Sequence, residues 1–186
     1  MTVGAVLWPD EKAKLACNEI RKRLDPHIGL IDPHITVIFP FETNTSLSQL
    51  VEELAKSVVG LGPFQVCLGN LSTMNSLAET YPEATRLLAG YPNAKNVIFL
   101  IPEEGHDAIL NLKRHINSAL DRVTALVEYP PFLTLGQTLS DADYARALAQ
   151  FADYHPALRF TAASFDLLQQ TKSGHWETIH RFLFPG

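Results

Sequence analysis

Pro33-His34-Ile35-Thr36-Val37 and Pro131-Phe132-Leu133-Thr134-Leu135 share one pattern, Pro-x-apolar-Thr-apolar. Each lies in an apolar or alternating run long enough to form a β-strand. Side chains alternate faces along a strand, so His34 and Thr36 point the same way, roughly 7 Å apart. Phe132 and Thr134 do likewise. One copy therefore offers an imidazole beside a hydroxyl, and the other a benzene ring beside a hydroxyl.

The elements around the two copies also correspond. Val3 to Trp8 is a short apolar strand. Asp10 caps a helix to about Leu24, with Ala13, Cys17, Ile20 and Leu24 on one stripe, and Asp25-Pro26 ends it. Pro33 to Phe41 is the first motif strand. Ser46 opens a helix with Leu47, Leu50, Val51, Leu54 and Val58 on its inner face, and Phe64 to Leu71 is a strand. Later the order repeats: a strand at Asn96 to Ile101, a helix from about Ile109 to near Arg122, and the second motif strand at Pro131 to Gly136. A helix capped by Ser140-Asp141 and running to about Phe151 follows, then a strand at Ala157 to Leu168. A turn at Lys172-Ser173-Gly174 leads to a last strand, Trp176 to Phe184, which pairs back as a hairpin.

Position 34 falls 31 residues after Val3, and position 132 falls 35 after Val97. Each half thus reads strand, helix, motif strand, helix, strand, as expected of an internal duplication packed about a pseudo-two-fold axis. The expectation is an α+β fold of two pseudo-symmetric lobes. Each has an antiparallel sheet with outer helices, around a central cleft that the two motif strands line. A single domain 1–186 divides into roughly 1–72 plus the C-terminal pairing, and 96–186. The connector, 73–95, holds Pro82, Gly90 and Pro92, with helical turns around Glu83 to Leu88, and is read as lying over the cleft.

The chain has 186 residues, 46% hydrophobic, with 15 basic and 20 acidic side chains for a net charge of −5. An acidic surface has no general hold on a polyanion, so any nucleic-acid ligand is expected to be a small fragment or a chain end, not a long duplex. Met1 to Trp8 is too short for a signal peptide and lacks a basic flank, and no apolar run could cross a membrane. A cytoplasmic monomer without membrane contact is expected. Cys17 and Cys67 read as buried, reduced thiols.

Two His-x-Thr strands across a groove would make an acid/base device, one imidazole accepting a proton and the other returning one. The threonines would hold the oxygens of a phosphoryl group. These segments resemble the paired motifs of the 2H phosphoesterases, the 2′-5′ RNA ligase-like superfamily. The resemblance extends over Pro-His-Ile-Thr-Val, Pro-x-Leu-Thr-Leu-Gly-Gln-x-Leu-Ser, the opening Gly4 to Pro9, and the ending Phe165-Asp166-Leu167-Leu168…Gly174-x-Trp176. It implies a bilobal α+β fold and cofactor-free, metal-free chemistry on 2′,3′-cyclic phosphates, 2′-5′ linkages or ADP-ribose cyclic phosphate.

On that resemblance His34, Thr36 and Thr134 are the expected catalytic residues, and Phe132 stands where the second histidine belongs. Phenylalanine neither carries a proton nor donates a hydrogen bond. Two readings follow: a weakened, single-histidine cyclic phosphodiesterase acting on small nucleotides or RNA ends, or an inactive relative that binds nucleotide or phosphate, with Phe132 stacking on a base. Gln137 and His27 are further substrate-binding candidates at the rim, and His27 is the best outside substitute for the missing histidine. Tyr129, His155, His175 and His180 read as packed or surface residues, with no metal site. Trp8 and Trp176 read as core.

Overall fold

The computed structural model describes residues 1–82, 96–120 and 129–186. In chain order the elements are β1 (Thr2–Leu7), α1 (Glu11–Leu24), β2 (Ile35–Glu42), α2 (Leu47–Ala55), a 3₁₀ turn (Lys56–Val58), β3 (Phe64–Thr73) and α3 (Met74–Thr80). They continue with β4 (Ile98–Glu104), α4 (His106–Ala119), β5 (Leu133–Gly136), α5 (Asp141–Gln150), β6 (Leu158–Ala162), β7 (Ser164–Gln170) and β8 (Trp176–Leu183).

The helices start where local chemistry sets them. Asp10 Oδ1 accepts from the Ala13 N–H at 2.8 Å. Ser46 and Ser140 do the same for Gln49 and Asp143. Each side chain satisfies a donor that the first helical turn leaves unpaired. Helix α1 buries Ala13, Cys17, Ile20 and Arg21. Burial pushes the Cys17 thiol up to about 12, which leaves it unreactive. On α2, Leu50 and Leu54 are buried, but Leu47, expected on that inner face, is exposed. The connector begins with α3, whereas the helical turns expected around Glu83 to Leu88 lie outside the described residues.

The strands form one antiparallel sheet in the order β6-β3-β4-β5-β2-β1-β7-β8. The fold is α+β, and its two lobes are the two four-stranded halves of this sheet. They join at the motif strands through the pair Ile35–Leu133. The third strand of each chain half crosses over. Strand β3, counted with the first half in the sequence, pairs with β4 and β6, while β7 from the second half pairs with β1.

Ala157 to Leu168, expected as one strand, is two, split at Ala163. Strand β6 pairs with β3 at one edge and β7 with β1 in the other half-sheet. The apolar alternation slips by one residue at Ala162-Ala163, from Leu158, Phe160 and Ala162 to Phe165 and Leu167, which marks the break but does not name the new partner strand.

Ile35, Val37, Leu133 and Leu135 are all buried in the main core. Alternation then sends residues 34, 36, 132 and 134 to the opposite face. Beneath β5, the C-terminal end of α1 comes very close. A Cβ on Gly136 would lie 2.7 Å from Leu24 Cβ. The Gln137 N–H donates to the Leu24 carbonyl at 3.2 Å. Only glycine permits this approach, which carries Asp25 and His27 to the second motif strand.

Candidate functional site

Antiparallel pairing of Ile35 with Leu133 fixes the register of the motifs. Extending that register by one residue each way sets position 34 opposite 134 and position 36 opposite 132, for which antiparallel geometry gives about 5 Å between Cα atoms. All four line a cavity of about 320 Å³, together with His27 and Gln137. The six residues singled out in the sequence therefore share one wall system.

His34 is half-buried. The Asp32 carbonyl lies 2.8 Å from its Nδ1. A carbonyl only accepts, so Nδ1 of the neutral ring carries the proton and Nε2 remains a proton acceptor. Burial holds the imidazole down, to about 4. The Asp32 bond and the Asp25 and Asp32 charges pull the other way, while the Arg21 charge adds to the depression. His34 is thus neutral at pH 7, in the form a general base requires.

Behind His34 stands the Trp8 ring, edge-on at 5.9 Å between centroids. Trp8 Nε1 donates to Asp166 Oδ2 at 2.8 Å. Asp166, wholly buried, also accepts from Arg181 at 2.7 and 2.9 Å and from Thr178 at 3.1 Å. Burial alone would raise this carboxyl, but its Arg181, Trp8 and Thr178 bonds outweigh that and leave it below its ordinary value. Trp8, expected as plain core, fixes the plane of His34.

One end of the cavity is polar. Arg21, 2% exposed, bridges to Asp25 at 2.8 Å and donates to the Ile31 carbonyl at 2.8 Å. Asp25 Oδ1 accepts from the His27 backbone N–H and from Gln137 Nε2, both at 2.9 Å. Gln137 thus holds the loop after α1 to the second motif. The His27 Nδ1 is buried without a hydrogen-bond partner, 3.7 Å from Asp25 Oδ1. Sequence reasoning missed Arg21 and Asp25. Their i,i+4 spacing at the end of a helix is the signal that could have found them.

The other end is apolar. Phe132 packs on Phe99 at 4.8 Å and on Tyr129 at 5.3 Å between centroids. Phe39, Met74 and Val97 complete it. The Tyr129 hydroxyl lies 3.4 Å from Met74 Sδ, and Lys113 Nζ donates to the Tyr129 carbonyl at 2.5 Å. Tyr129 is buried, and that burial pushes its phenol up, away from ionisation. Trp176, expected in the core, lines the cavity instead. His155 pairs with Glu103 at 2.6 Å and His180 packs on Phe182, both away from the cavity. Among the described residues no three metal-binding side chains converge, and no helix is long and apolar enough to cross a membrane.

Comparison with known proteins bears on the fold and the family. A protein of Geobacillus thermodenitrificans, provisionally named a phosphoesterase, is 29% identical over 187 aligned residues that cover 100% of this chain and 98% of the relative. The crystal structure of TT0787 from Thermus thermophilus superposes with a TM-score of 0.64 at 15% identity, covering 100% and 99% of the two chains. E. coli LigT in its apo form gives 0.62 at 10% identity over 100% and 99%. LigT complexed with 3′-AMP gives 0.57 at 10% identity over 99% and 98%. The sequence profile of the 2′-5′ RNA ligase superfamily matches residues 8–174, a span that contains both motif strands, and the chain belongs to that superfamily.

Proposed function

We propose that this protein binds 2′,3′-cyclic phosphate or 2′-5′-linked nucleotides, or RNA ends carrying them, and hydrolyses them slowly with His34 as its proton acceptor. The register that sets His34 beside Thr134 and Thr36 beside Phe132 over one cavity carries this reading. His34 Nε2 takes the proton of an attacking water, while the Thr36 and Thr134 hydroxyls hold the phosphoryl oxygens. The bond from phosphorus to a ribose oxygen breaks, and that oxygen takes its proton from solvent. Solvent stands in because the ring of Phe132 occupies the position of a second carrier. LigT, of similar fold, has been solved with 3′-AMP and with phosphate, which supports a ligand of this class.

A second reading, a nucleotide- or phosphate-binding protein without turnover, is favoured by the aromatic packing of Phe132 on Phe99 and Tyr129. Incubation with 2′,3′-cyclic nucleotides separates the two. The His34→Ala variant is expected to be slower by about 10²- to 10⁴-fold. Equal rates would remove the enzyme reading. Calorimetry with cyclic nucleotides and 2′-5′ oligomers tests what remains, and absence of heat would remove binding as well.

A further inference from the structure

The two ends of the cavity differ in kind. Around Arg21, Asp25, His27 and Gln137 the wall is hydrogen-bonding. Around Phe132 it is apolar, with Phe39, Met74 and Val97 alongside. Thr36 and Thr134, read above as the anion-holding hydroxyls, line the same cavity. Phe132 is half-buried, supported from behind by Phe99 and Tyr129, both wholly buried. Its ring is held before any ligand arrives, and an aromatic face fixed in advance costs little conformational entropy on binding.

We propose that Phe132 is the floor of a nucleobase subsite, so that position 132 selects the ligand's base. The proposal rests on the phosphate-site reading above and deepens it. A flat heteroaromatic ring joined through one sugar to the phosphoryl group suits this wall: Phe132 and Thr36 line the same cavity, and the Ile35–Leu133 register extended by one residue sets them opposite each other. A cavity of about 320 Å³ is at the small end of ligand sites, in keeping with one nucleotide. A phosphate ester without a base would leave the apolar end wet and gain nothing from it.

Affinities for inorganic phosphate, for ribose 2′,3′-cyclic phosphate without a base, and for adenosine 2′,3′-cyclic phosphate provide the test. Native protein is expected to prefer the nucleotide over the abasic ester by about 5- to 150-fold, the range for stacking one base on an aromatic side chain. Phe132→Leu, apolar and of similar size, should erase that preference, and Phe132→Trp should keep it. A 2-aminopurine analogue should be quenched by native protein and by the Trp variant but not by the Leu variant. Equal affinity of native protein for nucleotide and abasic ester overturns the proposal, as does loss of the preference in Trp176→Leu with retention in Phe132→Leu. If the Leu variant fails to fold, the native comparison together with Trp176→Leu still decides, since loss of the preference in Trp176→Leu overturns the proposal. No binding of phosphate or of any ester would overturn the anion-site reading as well, and so is distinguishable from failure of the base subsite alone.

Discussion

The surroundings of His34 and of Phe132 show what one strand geometry can carry. Both side chains leave a motif strand on the cavity face, each preceded by a proline and followed at two residues by a threonine. His34 has a carbonyl on Nδ1 and a Trp8 ring held by a buried carboxylate. Phe132 is packed instead against two aromatic rings. The backbone duplicates the position, while the packing behind it decides whether that position can manage a proton. An apolar setting thus accompanies the phenyl ring, and restoring the imidazole alone does not restore its support.

The largest effect that would sharpen the contrast is structural. Arg21 is buried and depends on Asp25, so Asp25→Ala should leave an uncompensated charge and cost about 3–5 kcal/mol in urea unfolding. It should also release Gln137, which the Asp25 carboxylate holds. A loss below about 1 kcal/mol would show that the polar end is not organised by this pair.

Phe132→His comes next. With the cleft otherwise intact, turnover of cyclic nucleotides should rise at least about tenfold. It should fall short of the full 10²- to 10⁴-fold worth of a well-placed acid, because Phe99 has no polar atom and the Tyr129 hydroxyl is directed at Met74 Sδ, which leaves the new ring's tautomer unfixed. A full gain would break the comparison, and no gain would mean that the two motif strands no longer cooperate.

The smallest effect concerns acid. His34 is held down to about 4 by burial, against an ordinary imidazole value of 6.5, so it binds a proton more readily unfolded than folded. Its contribution to stability is present above about 6.5 and is lost as pH falls towards 4. Thermal midpoints should therefore drop over that window in native protein and less in His34→Gln. The rate of any turnover should stay flat from about pH 7 until close to 4. A rate that halves near 6.5 would place His34 in a more solvated setting.

The lining of the candidate site was legible to different depths. His34, Thr36, Phe132 and Thr134 could be found because strand alternation is local, and a repeated pattern of five residues announces it. Gln137 and His27 were placed at the rim by proximity in sequence, and they do line the cavity. Arg21, Asp25 and Trp176 were not found. Their roles depend on α1 docking against Gly136, and on β8 folding back so that the Trp176 N–H meets the Leu30 carbonyl at 3.0 Å. No short-range pattern records either contact.

The sequence by itself determined the helix caps, the faces of the strands, the duplicated order and the family, because each rests on neighbours within a few residues or on the motifs themselves. Tertiary structure alone decided that β3, counted with residues 1–72, joins β4 and β6 in the other half, that one continuous sheet joins at Ile35 and Leu133, and that one end of the cavity is polar and the other aromatic. Those outcomes follow from which distant strands share hydrogen bonds. The same alternating residues would satisfy more than one partner, and only the packed core selects among them.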